Sequence, residues 1–250
     1  MILKSKLPAS FAAVIFIAFL SGTGWLKPTI SSSSHLSQLP EIKVRHTSSS
    51  PLDIILSDTK EVTPENPKIE FIVVNMSSQP IIAYAIRYET ISNRSKGGGN
   101  IIVNAPSISQ SLQPGQVHTE VIGDDVVHRD PVLKILLYVD YVELADGSNW
   151  GPDDSGAAET LAGERAGARL YIDKAKGLSK AHGVITMMNK IDQMDFSSDI
   201  PPDATPYWVK GFRAGVGTEK YRLRQAYEKN GVSALEDEMN KPFDASFDRR

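Results

Sequence analysis

Alternation with a period of two is the feature that most limits what this chain can fold into. In Lys68-Ile69-Glu70-Phe71-Ile72-Val73-Val74-Asn75, residues Ile69, Phe71 and Val73 share one face. Ile82, Tyr84, Ile86 and Tyr88 do the same in the next run, and Leu133, Ile135, Leu137 and Val139 in a third. A strand turns successive side chains to opposite sides, so each run predicts a strand with one wet face and one that must be hidden. The third run continues through Tyr141 and Val142 to Asp146-Gly147, a hairpin signal, with Trp150 just beyond. Weaker strands are predicted at Ile42–Val44, Leu52–Leu56, Ile101–Val103 and Val117–Ile122, with turn chemistry at Asn75–Pro80 and Leu112-Gln113-Pro114-Gly115. About seven short strands without helical periodicity between them predict two antiparallel sheets packed face to face. Leu133–Val142 belongs inside its sheet, so free edges are expected among runs such as Leu52–Leu56 or Ile101–Val103.

The run Phe71–Ile81, then Leu112–Gly115, then Tyr138-Val139-Asp140-Tyr141-Val142, resembles exported bacterial β-sandwich proteins of immunoglobulin-like type. The ending Asp146-Gly147-Ser148-Asn149-Trp150-Gly151-Pro152-Asp153 is similar to that of uncharacterised members of this group. The resemblance covers residues 68–153. It implies a fold, but no activity and no catalytic residues. The cysteine pair of antibody domains is missing, as the chain has no cysteine.

The N-terminus fixes the expected compartment. Lys4 and Lys6 precede Phe11–Leu20, ten residues without a polar side chain, and Ser21-Gly22-Thr23-Gly24 follow. A basic start, a short apolar stretch and small residues form an export pattern. Crossing ~30 Å of hydrocarbon takes roughly 20 helical residues, which the segment reaches only by including Pro8, Ser10 and the small residues. Residues 1–24 are therefore expected to be a signal peptide, with an uncleaved signal anchor as the alternative. Residues 25–40, with Ser31–Ser34 in a row, are expected to be a flexible linker. The remainder is expected outside the cytoplasm: periplasmic, extracellular or anchored to the membrane facing out.

Composition changes after Pro152. Residues 41–153 form the expected sandwich, and 154–250 a helical region, making the class α+β. Ser155 is an N-cap candidate, and Ala157–Lys176 is rich in helix formers with Ala158, Leu161, Ala162, Ala168 and Ile172 on a narrow face. Gly163 and Gly167 have small-xxx-small spacing, but Glu164 and Arg165 between them argue against a membrane span and for close packing on the sandwich. A second helix is predicted from Ser179 to about residue 195, with Val184, Ile185, Met188 and Ile191 on one face. Thr205-Pro206 starts a third, carrying Trp208, Phe212 and Val216, which Gly215 and Gly217 interrupt. After Asn230-Gly231, Ser233–Glu236 is a capping box.

The residues with chemical potential form no known constellation. None of the five histidines, His35, His46, His118, His128 and His182, has metal-ligand spacing. His118 and His128 flank Asp124-Asp125, a group that convergence would turn into a catalytic candidate. His128-Arg129-Asp130 lacks every other part of a kinase, Lys96-Gly97-Gly98-Gly99-Asn100 lacks phosphate-loop spacing and reads as a loop tip, and there is no GxSxG. Asp140, Glu143, Asp153 and Asp154 read as solvated acids on a sheet edge. Lys220–Tyr227 mixes basic and aromatic residues, but 27 Lys+Arg against 30 Asp+Glu argues against a nucleic-acid partner.

No catalytic, cofactor-binding or metal residue is assigned, and no cofactor is expected. The function expected is that of a non-catalytic binding or structural module of the bacterial cell envelope. Its partner would be an envelope protein or a polysaccharide, with no nucleic acid, and the membrane would be touched only through the N-terminal segment if uncleaved. The alternatives are an exported hydrolase using acids and histidines at the sandwich–helix junction, and a carbohydrate-binding module presenting Trp150, Tyr138 and Tyr141.

Overall fold

Each alternating run forms a strand in the computed structural model, which describes residues 39–57, 68–104, 111–123 and 130–241. The expected export segment, the linker up to residue 38, His35, Asp124, Asp125 and His128 lie outside the described residues. The strands are β1 (Glu41–Arg45), β2 (Leu52–Leu56), β3 (Ile69–Asn75), β4 (Ile81–Ser92), β5 (Lys96–Asn104), β6 (Val117–Ile122), β7 (Val132–Leu144) and β8 (Asn149–Trp150). Among the described residues three α-helices follow, α1 (Ala157–His182), α2 (Val184–Lys190) and α3 (Pro206–Asn240). The chain is thus α+β, with the helices after the sheets.

Two sheets form, one ordered β1-β7-β4-β5 with β8 on β7, the other β2-β3-β6. Inward residues of both, among them Ile54, Phe71 and Val73 from one and Ile86, Ile135 and Leu137 from the other, make one core. β7 lies between β1 and β4 as expected, and both β2 and β5 are edge strands. The pairing of β1 with β7 is parallel, in register from Glu41↔Lys134 to Arg45↔Tyr138, so the larger sheet is not wholly antiparallel. No hairpin joins these two strands, so no turn constrains their relative direction.

The turns act as their residues predict. The Asn75 side chain is buried, donating to the Gln79 and Leu112 carbonyls at 2.8 and 2.7 Å and accepting from the Ser77 N–H at 2.9 Å. Gly115 and Gly147 have φ of 74° and 86°, the left-handed values that glycine tolerates best. Lys96–Asn100, expected to be a loop tip, is instead the first half of β5, paired with Ile91 through Arg87. Its glycines admit β4: the Tyr88 ring lies where a Gly99 side chain would stand.

Helix α1 starts one residue after Gly156. Ser155 is not its cap; the Asp153 carboxylate does that work, accepting from the Ala157 N–H at 2.6 Å. Gly163 and Gly167 do pack closely, but against α3 rather than the sandwich. A Cβ on Gly163 would fall on the Trp208 carbonyl and one on Gly167 on the Phe212 carbonyl. The contact is reciprocal, since Gly211 and Gly215 face the Thr160 and Glu164 carbonyls. Gly215 and Gly217 therefore do not interrupt α3. Its break is at Gly231 (φ 76°), where the sequence predicts one, and Arg222 before the break reaches Glu238 beyond it. A continuous helix would hold residues sixteen apart about 24 Å from each other, so the last segment folds back along α3. Tyr171, Ile172, Met187, Phe212, Leu223 and Leu235 form the helical core. Ala162 and Ile185, expected on buried faces, are exposed.

A smaller cluster joins the layers. Ala157 and Leu161 of α1 pack on Ala83, Ala85 and Tyr141, on the outer face of the larger sheet. The alanines leave room there for a helix to approach.

Candidate functional site

Below this junction the helices stop covering the sheet, and a cleft of about 360 Å³ opens. Its floor is the outer face of β4 and β5, with Arg87, Glu89, Gly98, Asn100 and Ile102; its wall is the start of α1 and α3, with Asp154, Ser155, Thr160, Tyr207 and Lys210.

Buried polar contacts hold that wall in place. Asp140, fully buried on β7, accepts from the backbone N–H of Asp154 at 3.1 Å and of Ser155 at 3.0 Å, and from the Ser155 hydroxyl at 2.5 Å. Glu143 is also buried and meets Arg165 of α1 at 2.9 Å. The expectation that these two acids are solvated edge residues is thus corrected: both tie the sandwich to the helices. Burial raises the Asp153 carboxyl above its usual range, against the helix N–H groups of Ala158 and Ala157, which lower it. Thr205 caps α3 by accepting from the Trp208 N–H at 3.2 Å, and its hydroxyl donates to Glu159 of α1 at 2.5 Å. The Tyr207 ring lies over Gly156, whose φ is 65°.

On the floor, Arg87 lies 3.6 Å from Asp154. The Tyr138 hydroxyl donates to Glu89 at 3.1 Å, and the Arg45 guanidinium sits 4.8 Å above the Tyr138 ring. Burial first, then that bond to Glu89, raises the Tyr138 phenol above its ordinary pKa. Lys210, exposed on the rim, makes no ion pair among the described residues. A cleft whose wall is held by buried polar contacts, with an exposed cation, a half-exposed tyrosine and an open strand edge, is suited to binding.

The singled-out residues are placed elsewhere. His118 converges with Tyr84 and Glu120: its Nδ1 is 3.1 Å from the Tyr84 hydroxyl and 3.6 Å from Glu120, and that hydroxyl donates to Glu120 at 2.6 Å. These contacts join β4 to β6 across the sandwich. Burial raises the Tyr84 phenol first, and the neighbouring Glu120 carboxylate adds to it. His46 pairs with Asp53 at 2.8 Å beside a second cleft, of about 270 Å³, between β1 and β2. His182 is exposed at the end of α1. Tyr138 and Tyr141 are buried and Trp150 packs on the core, so these three form no open aromatic platform. In the basic-aromatic run, Lys220 and Arg224 both pair with Asp192, and Arg222 with Glu219 and Glu238.

Sequence reasoning missed Tyr207, Lys210 and the floor residues, because four elements, a hairpin and the starts of two helices distant from it in sequence, contribute to the cleft. The signal available was the glycine run, which marks close approach of backbone as well as loop tips.

The chain matches no family model, and no curated protein matches it. Among solved structures it is similar to a hypothetical protein from Peptoclostridium difficile 630, 12% identical over 44% of this chain and 90% of that one, with a TM-score of 0.27.

Proposed function

We propose that the chain is a non-catalytic binding or structural module of the bacterial cell envelope, exported by residues 1–24 as a cleaved signal or retained by them as an anchor. It works in the periplasm, outside the cell or tethered to the membrane facing out. Its partner is an envelope protein or a polysaccharide. The immunoglobulin-like reading draws support from the strand order, in which β2-β3-β6 faces β7, β4 and β5 and the chain crosses between sheets after β1, β3, β5 and β6. Antiparallel Greek-key sandwiches share that crossing habit.

One observation carries the binding reading: the cleft between β5 and the start of α3, with Lys210 and Tyr207 exposed on its rim while buried contacts of Asp140 and Glu143 hold its wall. Preorganised walls reduce the ordering cost of association. Fusing residues 1–40 to alkaline phosphatase tests the export, expected to give activity outside the cytoplasm. Affinity capture from intact envelope fractions tests the binding. Recovery of a partner that Lys210→Glu releases is expected, and recovery of the protein alone counts against the reading.

A second reading, an exported hydrolase, rests on the contacts of His118 with Glu120 and Tyr84. Its test is turnover of ester, phosphate and glycoside substrates by the wild type, abolished in His118→Ala.

A further inference from the structure

We infer that the cleft takes an extended peptide segment, which adds as a further strand to the free edge of β5 and places an acidic side chain at Lys210. This deepens the binding-module reading and rests on it.

The strand edge supplies the first part. β5 ends the larger sheet, with β4 on one side and no strand on the other among the described residues. The Ser92 N–H donates to the Ser95 carbonyl at 3.0 Å, closing the β4–β5 hairpin. Hydrogen-bonded and non-hydrogen-bonded pairs alternate from there along an antiparallel ladder. With Ile91↔Lys96, Glu89↔Gly98, Arg87↔Asn100 and Ala85↔Ile102 in register, the residues on β5 that turn their N–H and C=O away from β4 are Lys96, Gly98, Asn100 and Ile102. Three of these four line the cleft. No backbone group of the helices bonds them among the described residues. Such a row of donors and acceptors fits another extended backbone.

The lining supplies the second part. Gly98 is exposed and carries no side chain to obstruct an incoming strand. Ile102 and Tyr207 offer half-covered apolar surface. Lys210 is a cation without an ion pair among the described residues, whereas Arg87 already has Asp154 and Glu89 has Tyr138. Side chains two residues apart on an added strand point to the same side, about 6.8 Å apart. The fitting segment is therefore a short extended one with an acidic and an apolar residue at i and i+2, both facing the helices.

A dodecapeptide library displayed on phage, selected on the full chain, identifies such segments, and a peptide it yields is then synthesised and titrated. Asn100→Pro removes an outward N–H without costing a bond to β4, since proline is tolerated where an edge strand's N–H faces outward. The expected result is enrichment of acid–x–apolar or apolar–x–acid segments, about tenfold weaker binding in Lys210→Glu, comparable weakening in Asn100→Pro, and slowed hydrogen exchange at Gly98, Asn100 and Ile102 when the peptide is bound. Circular dichroism checks that both variants fold, and Lys210→Glu, on an exposed helix position, decides if Asn100→Pro does not. Peptides whose binding neither variant changes overturn the proposal. Binding to purified peptidoglycan or other envelope polysaccharide with none to peptides also overturns it, while the module reading stands. No binding to peptide, polysaccharide or envelope protein overturns both.

Discussion

The Glu143 carboxylate of β7 and the Arg165 guanidinium of α1 meet at 2.9 Å with both side chains largely out of water. The pair links the sandwich to the helical layer at the level where Leu161 packs on Ala83 and Ala85. Removing one member of a buried pair strands the other charge and typically costs about 3–5 kcal/mol, whereas replacing both with apolar groups of similar volume is often neutral. Arg165→Met is accordingly expected to lower unfolding stability by about 3 kcal/mol, and Glu143→Leu combined with it to recover most of that. Urea denaturation of the two variants and the wild type checks the difference. Equal losses in the single and double variants would mean that the charges are better solvated than their burial implies.

The helix glycines divide by what surrounds them. Gly167 of α1 lies against the Phe212 carbonyl, while nothing stands within 4 Å of a Cβ at Gly177 in the same helix. Alanine is the better helix former by about 1 kcal/mol, so sequence alone would rank both changes as stabilising. Contact reverses the sign at one of them. Gly167→Ala is expected to lose about 1–3 kcal/mol as the helices are forced apart, and Gly177→Ala to gain about 0.5–1 kcal/mol. Thermal unfolding followed by circular dichroism separates them, with the melting temperature falling in one and rising in the other.

The same glycines show how far the sequence could be read. Spacing of four at Gly163 and Gly167 announces a close neighbour without saying which, because a Cβ-free stripe accepts a sheet or a helix equally; Gly211 and Gly215, the other half of the contact, give the answer only when paired with them. Strands were legible because one buried face imposes alternation along a single run. The parallel β1–β7 pairing was not, since it joins segments with no turn between them to set direction. Asp140 and Glu143 looked like surface acids because alternation carries no information on what covers the outer face of a sheet. Here α1 covers it, and both carboxylates are buried. The cleft was illegible for the same reason, being assembled from β4, β5 and the starts of two helices.

Glu219 gives the helical region a pH dependence of definite sign. It is buried on α3, and burial raises its carboxyl above the ordinary value of 4.5, with the Arg222 guanidinium pulling the other way and Glu238 adding to the rise. A folded state that holds this proton more tightly than the unfolded chain is favoured below the unfolded value, and that advantage is lost as pH rises through the folded one. Glu219→Gln abolishes the titration. Its stability relative to the wild type is therefore expected to be greater at about pH 8 than at about pH 4, the change falling in the window that opens upward from 4.5. Arg222 retains Glu238 in the variant. Urea midpoints of both proteins across this range provide the check, and a constant difference between them would show that the carboxyl titrates alike folded and unfolded.

Two buried tyrosines are expected to respond oppositely to loss of the hydroxyl. Tyr84 donates to Glu120 at 2.6 Å and so ties β4 to β6 across the core. Tyr171, packed on Phe196 with ring centroids 5.6 Å apart, has a buried hydroxyl with no hydrogen-bond partner among the described residues. A hydrogen bond to a charged group contributes about 1.5–3 kcal/mol, and an unsatisfied buried polar group costs about 1–3 kcal/mol. Tyr84→Phe takes the donor away from Glu120, which among the described residues keeps the more distant His118 at 3.6 Å, and is expected to destabilise by about 1–2 kcal/mol. Tyr171→Phe keeps the ring and its contact with Phe196 while deleting the atom that lost its water on folding, so it is expected to be neutral or stabilising by up to about 1 kcal/mol. Unfolding both variants in urea at neutral pH gives the comparison directly. A loss in Tyr171→Phe as large as that in Tyr84→Phe would mean that the Tyr171 hydroxyl is satisfied in solution.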